Sequence, residues 1–369
     1  MFTPLELIWI LLIFLYFSFD IILLLAVNKI KLKPFNNSSP SPISVVIAAK
    51  NEAENLKTNL PYILKQNYPL FEVIVVDDQS KDKTLEILKQ FEERYQFLKC
   101  LSVKSSLKSS KKNALDLGIH HAKYEHLVFT DADCKPISEN WLMHLQNHFS
   151  PQHELVLGFS PYRKLPNPIN PIIRFETLLT AINYFGFSKI GMPYMGVGRN
   201  LAYTKSLYRK IGGFKTHRHL LSGDDDLLVN QAVKKTQIAL CLNPDSFVES
   251  QPKLDFKSWV NQKRRHVTTA SYYRLKHKLW LGLQYISKVL FWFIAIPLSV
   301  VLEIQNNFQL QFVSNILFLL ILKSFLSFNI YKIFLSKDLW FWSYYLEIKL
   351  ICLQFYIFTK NLFSPKSTW

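Results

Sequence analysis

The sequence predicts an α/β domain built on an open sheet and tied to a membrane by apolar helices. Three observations predict it. Short β-branched runs alternate with helical patterns between residues 43 and 130. Each run ends in acidic or polar residues, where open α/β sheets gather their ligands. Long apolar stretches lie outside roughly residues 28–280, although mean hydropathy over the whole chain is only +0.08.

The elements follow in order. Residues 5–27 form an apolar run long enough to span a bilayer, which takes about 20 residues. Lys29, Lys31 and Lys33 follow it and place its C-terminal end in the cytoplasm. No small-residue cleavage site accompanies the run, so residues 1–28 read as a retained anchor. Residues 29–42 hold a Pro/Ser/Asn-rich linker, Pro34–Pro40. Strands are expected at Ile43–Ala49, Glu72–Val76 and His126–Thr130, with helices at Glu52–Gln66, Asp82–Phe91 and Lys111–Ala122. This βαβαβ order implies right-handed crossovers, and the soluble domain is taken as 43–278. Residues 166–190 are amphipathic, either an interfacial helix or a core helix. Residues 279–369 contain apolar stretches at about 281–303, 310–335 and 339–359, giving four spans, or three if the last lies flat. Asp20, Lys288, Lys323, Glu347 and Lys349 fall inside these stretches. Each must pair or snorkel, and snorkelling is the expectation for Lys288.

The charge is +17, from 44 Lys+Arg against 27 Asp+Glu. No nucleic-acid recognition motif accompanies it, which leaves anionic lipid, positive-inside retention and anionic nucleotide substrates as its partners. Cys100, Cys134, Cys241 and Cys352 are far apart, which excludes a disulfide framework or a zinc site by spacing. Nothing in the sequence sets an oligomeric state.

The chemistry lies at the strand ends. Asp131-Ala132-Asp133 places two carboxylates after the third strand, the oxygen set that Mg²⁺ or Mn²⁺ takes beside a diphosphate; taken by itself, such a triplet is also a common solvated turn. Asp77-Asp78 ends the second strand, where a carboxylate can accept from a base imide or ribose hydroxyl. Ser80 or Asp82 then serves as an N-cap.

In that order, SVVIAAKNEAENL, VDDQSKDKT, KKNALDLG and TDADC resemble the inverting family 2 glycosyltransferases of GT-A fold, a Rossmann-like nucleotide-diphosphosugar transferase domain, over most of residues 43–270. The resemblance implies a nucleotide site at Ala48, Lys50, Glu52, Asp77, Asp78, Lys111 and Asp131. It implies a divalent metal (Mg²⁺ or Mn²⁺) on Asp133 and Asp131, Asp133 being the more direct ligand. GVGRNLAYTKSLYRKIGGF looks like the acceptor-side segment. Asp224 and Asp225 stand in the place of the family's Glu-Asp pair, with Asp225 the catalytic base and the register within Asp224–Asp226 open by one residue. Gln262, Arg264, Arg265 and His266 resemble the Q-x-x-R-W signature of membrane-bound processive members, at the acceptor and diphosphate. His266 replaces the usual Trp, which leaves processivity open, and attraction to anionic lipid is the other reading of this basic stretch. The expected partners are a nucleotide-sugar donor, a UDP-sugar first, a glycan or lipid-linked acceptor, and membrane lipids. A transferase loading a polyprenyl-phosphate carrier and a non-catalytic membrane scaffold remain the alternatives.

Overall fold

A computed structural model describes residues 2–33, 40–106, 109–220, 222–306 and 310–364. The linker residues 34–39 lie outside the described residues. The chain divides into two compact units, one of Ile30–Pro166 with Pro193–Leu254, the other of the N-terminal helix, Asn167–Met192 and the chain from Asp255 onward.

The first unit is a mixed sheet. Its strands are β1 Ile43–Ala49, β2 Phe71–Asp77, β3 Leu98–Ser102, β4 His126–Phe129, β5 Cys134–Pro136, β6 Leu155–Leu157, β7 Leu201–Thr204, β8 Ile238–Leu240 and β9 Val248–Ser250. Seven form one sheet in the order β3-β2-β1-β4-β7-β6-β8, and β5 pairs with β9 in a separate ribbon. β7 runs antiparallel to both β4 and β6; the other pairings in the large sheet are parallel. The three expected strands are β1, β2 and β4. The strand between them, β3, escaped the sequence pattern: its LKCLS run sits at the sheet edge, half exposed, and lacks a continuous apolar signal.

β1 and β2 are sealed on both faces, with Val45, Val46, Ile47, Val73, Ile74, Val75 and Val76 fully buried. The helix Lys111–His121 lies on them at Gly118, where an added Cβ would come within 2.6 Å of Val46 Cγ1 and 3.2 Å of Val76 Cγ2. Close approach here requires glycine. It places the N-terminal end of that helix, Lys111 and Lys112, at the sheet's C-terminal edge.

The expected N-cap role of Ser80 or Asp82 is corrected. The helix runs Thr84–Arg94 and its flanking Lys83 makes no side-chain cap. Ser80 Oγ instead accepts from Asn51 N (2.8 Å), and Asp82 accepts from both Thr84 N (3.0 Å) and Ala53 N (3.2 Å). Asn51 Oδ1 accepts from Lys81 N (2.8 Å). The residues after β1 and β2 are thus tied to each other, around sharp turns at Asn51 (φ 57°) and Gln79 (φ 59°). Cross-bracing of two strand-end loops outranks local capping.

Among the described residues of the second unit, three helices are long and apolar enough to cross a membrane: Pro4–Asn28, Leu275–Gln305 and Gln311–Ile333. The second carries a π-helical turn at Phe291–Ala295, just before Pro297, whose missing N–H interrupts the regular ladder. The last apolar stretch is the helix Ser343–Phe363, which is not among those three. The helix Asn170–Lys189 packs against Pro4–Asn28, with Gly186 against Leu23.

The expectation that Lys288 snorkels is corrected. Its Nζ lies 2.7 Å from Glu347 and 3.5 Å from Asp20, while Lys323 Nζ lies 2.5 Å from Asp20 and 3.7 Å from Glu347. Tyr16 Oη and Trp292 Nε1 also donate to Glu347, at 2.6 and 3.1 Å. Two ammonium groups and two carboxylates neutralise one another inside the bundle, which removes the need to reach water.

Candidate functional site

The loops beyond β1, β2 and β4 converge with two segments distant in sequence, Gly198–Asn200 and Asp224–Asp226. Lys111 links them. Its Nζ lies 2.8 Å from Asp131 Oδ1 and 2.9 Å from Asp224 Oδ2. Burial works against its charge, but Asp131, Asp224 and Asp225 hold its pKa well above the ordinary lysine range. A cavity beside this bridge is lined by Thr130, Asp131, Gly198, Tyr203 and Asp224 as well as Lys111 itself.

Asp224 and Asp225 are adjacent but electrostatically opposite. Burial disfavours ionisation of Asp224, yet the Lys111 ammonium outweighs it and the carboxyl lies below its usual range. Asp225 is pushed up to about 7, by burial first and then by the charges of Asp224 and Asp226. Asp225 Oδ2 accepts from Gly198 N (2.8 Å) and Oδ1 from Asp226 N (2.7 Å). Asp226 is buried and turned to its own helix, accepting from Leu227 N (2.7 Å). Of the three aspartates, Asp225 has the proton affinity a base near neutral pH requires.

Asp131, Asp133 and Cys134 place one donor atom each within 4.8 Å of one another. The oxygens suit a hard divalent ion; the sulfur does not. Burial, Asp133 and Asp131 hold the Cys134 thiol protonated, and its Sγ donates to Asp133 Oδ1 (3.1 Å). Cys134 therefore orients Asp133 rather than competing for a metal. Asp133 itself is raised, by burial first and then by Asp131, which together outweigh the Cys134 hydrogen bond and the charges of Arg199 and Lys253. Glu52 is raised as well, by burial and by these two aspartates, which places it in the same field. The donor set fits a divalent cation.

On the nucleotide side, Lys50 Nζ donates to Ser109 Oγ (2.8 Å), which donates to Asp78 Oδ2 (2.8 Å). Asp78 Oδ1 accepts from Ser110 N (3.3 Å). Asp77 is buried at the end of β2, and its Oδ1 has no hydrogen-bond partner among the described residues. Ala48 is half-buried near the end of β1. The sheet unit thus brings together Ala48, Lys50, Glu52, Asp77, Asp78, Lys111, Asp131, Asp133, Asp224 and Asp225 at one sheet edge. Gln262, Arg264, Arg265 and His266 lie on the helix Phe256–Val267 of the helical unit. There Arg264 Nε donates to Asn361 Oδ1 (2.7 Å), and Lys263 pairs with Glu176 (2.6 Å).

Two residues of this site carry no signal in the sequence pattern. Lys112 is almost fully buried, and its Nζ donates to the carbonyls of His217 (2.8 Å), Leu220 (2.7 Å) and Ser222 (2.6 Å). It clamps the chain immediately before Asp224. Asn200, also fully buried, accepts from Trp141 Nε1 (3.0 Å) and donates to the carbonyls of Phe159 and Ser246 (2.8 Å each). It fixes the turn that presents Gly198 to Asp225.

Comparisons with known proteins give likenesses of sequence and of fold. Residues 44–211 match the family described as glycosyl transferase family 2. A poly-β-1,6-N-acetyl-D-glucosamine synthase of Staphylococcus epidermidis is 36% identical over 112 residues, 28% of this chain and 26% of that protein. The glycosyltransferase AglE of Haloferax volcanii is 30% identical over 191 residues, 50% of this chain and 58% of AglE. The matches thus span about a quarter and somewhat over half of these relatives' lengths. Among solved structures, a mannosyltransferase from Pyrobaculum calidifontis in complex with GDP-Man and Mn²⁺ superposes with a TM-score of 0.61. It covers 97% of this chain and 99% of that one at 21% identity, a likeness of fold.

Proposed function

Residues 44–211 are a glycosyltransferase family 2 domain, and on that premise we propose that the chain transfers a sugar, with inversion, from a nucleoside-diphosphate donor to a glycan or glycolipid acceptor. The observation that carries this reading is the Lys111 bridge, which joins the aspartate of the metal pair to the segment of the base. Donor chemistry and acceptor chemistry meet within the length of one side chain.

Asp133 and Asp131 would hold a divalent ion, which when bound supplies charge stabilisation for the departing diphosphate. The Mn²⁺ in the Pyrobaculum mannosyltransferase complex supports a metal of this kind. Asp77, Asp78 and Lys50 bind base and ribose, and Glu52 closes the same edge. Asp225, ionised above about pH 7, accepts the proton of the acceptor hydroxyl as its oxygen attacks the anomeric carbon and the bond to the diphosphate oxygen breaks. Lys111 keeps Asp224 ionised, and the Gly198 N–H fixes Asp225. Gln262 and Arg265 are assigned to the acceptor and diphosphate by their signature. The catalytic unit faces the cytoplasm, a reading supported by Lys29, Lys31 and Lys33 just beyond the first span.

The test is to incubate membranes carrying the full chain with a panel of labelled UDP- and GDP-sugars, with Mn²⁺, with Mg²⁺ and with EDTA, and to size the product. We expect a UDP-sugar to be consumed only with metal, and Asp133→Ala to abolish transfer. A ladder means processive synthesis, and one lipid-linked species means single addition. Transfer that survives both EDTA and Asp133→Ala would refute the metal assignment; no transfer from any donor would refute the activity.

A further inference from the structure

Arg199 has no place in the roles above, yet it sits at their centre. It lies one residue from Gly198, whose N–H holds Asp225 (2.8 Å), and one residue from Asn200, which is locked by three hydrogen bonds. Its backbone is therefore fixed relative to the base. Its guanidinium carbon lies over the Tyr162 ring, 4.2 Å from the ring centre, a cation–π contact that leaves its N–H groups free for an acceptor. One of its nitrogens, Nη1, is buried and has no hydrogen-bond partner among the described residues.

A buried guanidinium N–H without an acceptor needs an account. Asp133 and Asp131 are near enough to act on the charge of Arg199, but among the described residues it forms an ion pair with neither. Asp131 is engaged by Lys111, and Asp133 by the Cys134 thiol. Arg199 is thus uncommitted, beside the metal pair and one residue from the Gly198 N–H that holds the base. The acceptor that fits a planar fork of donors is a pair of oxygens carrying negative charge, and the substrate group of that description in a sugar-nucleotide reaction is phosphate.

We propose that Arg199, held over the Tyr162 ring, is a phosphate-oxygen subsite of this active site, a deepening that rests on the glycosyltransferase reading. Two substrates can bring that phosphate: the donor, through its diphosphate, or a lipid acceptor that carries its own phosphate. The chemistry is shared, and binding measurements separate the sources.

The experiment uses the full chain in detergent micelles and compares wild type, Arg199→Gln and Arg199→Lys. One arm titrates UDP and GDP in the presence of Mn²⁺. The other titrates a short-chain polyprenyl phosphate, with the corresponding polyprenol as the neutral control. We expect Arg199→Gln to weaken one phosphate ligand by about 10- to 100-fold and to leave the other ligand and the polyprenol unchanged. Arg199→Lys, which keeps the charge and loses the fork, should fall between. Loss confined to the nucleotide arm assigns the donor; loss confined to the polyprenyl-phosphate arm assigns the acceptor. Unchanged affinity in both arms overturns the proposal and makes Arg199 an internal counter-charge for Asp133. If Arg199→Gln does not fold, Arg199→Lys decides on the same criterion. Failure of the wild type to bind either nucleotide with Mn²⁺ would count instead against the glycosyltransferase reading itself.

Discussion

Replacing Asp225 by Asn should destroy activity and stabilise the fold, from one cause. Asn preserves the side-chain shape and an oxygen for the Gly198 N–H, but it can neither take up a proton nor carry charge. Loss of a general base costs about 10²- to 10⁴-fold in rate. In the wild type, a carboxyl titrating at about 7 is roughly one-tenth ionised at pH 6, so kcat/KM should fall about tenfold per pH unit below 7. The same shift bears on stability. The folded-state pKa lies above the ordinary carboxyl value of 3.8, so Asp225 contributes most below that value. Its contribution is lost as pH rises through about 7, reaching a penalty of about 4 kcal/mol. The advantage of Asp225→Asn over wild type should therefore grow by about 3 kcal/mol between pH 5 and pH 8 and then level off. Thermal unfolding of the detergent-solubilised pair at those pH values measures it, alongside a pH–rate profile of the wild type. A variant that keeps the acid limb of the wild type, or a stability difference independent of pH, would refute the assignment of the base.

Two further outcomes follow from side chains whose partners the sequence pattern does not show. Lys112→Met should release the chain before Asp224 and lower kcat by about 10- to 100-fold with little change in donor KM, since three charge-assisted hydrogen bonds hold that segment. Lys112→Arg should recover part of the rate, and equal rates in Met and Arg variants would argue against a clamp. In the apolar helices, Lys288→Met or Glu347→Gln should each lower stability in detergent by about 3–5 kcal/mol. The double substitution should cost less than the sum, because each single change strands a charge; strict additivity in chemical unfolding would count against the pairing.

How much of this was legible depended on whether local pattern or distant packing decided each residue. β1, β2 and β4 could be read because a fully buried strand must be apolar throughout, and a run such as ISVVIAA followed by Lys50 says where burial stops. β3 could not, because an edge strand needs apolar residues on one face only. β6 and β8 are three residues each and too short to show a period. The strand-end carboxylates were legible as a series. The register within Asp224–Asp226 was not, because it turns on which carboxylate meets Lys111, Gly198 or Leu227, contacts made across the fold. Lys112 in a helix reads as a solvated lysine until three carbonyls from residues 217–222 surround it. The charges at 20, 288, 323 and 347 each read as a separate cost to burial. Only their meeting in the helical bundle turns four costs into one neutral cluster.

Gly118 has a consequence for how this chain can change over generations. A single absent methyl group sets how closely a helix rests on β1 and β2, and through that helix the reach of both Lys111 and Lys112. An alanine there would be silent to any inspection of the pocket, since it lies nearly two helical turns from Lys111. It would nonetheless lift two lysines together from five oxygen partners, uncoupling metal pair, base and loop at once. A variant that inactivates the protein need not touch a polar atom.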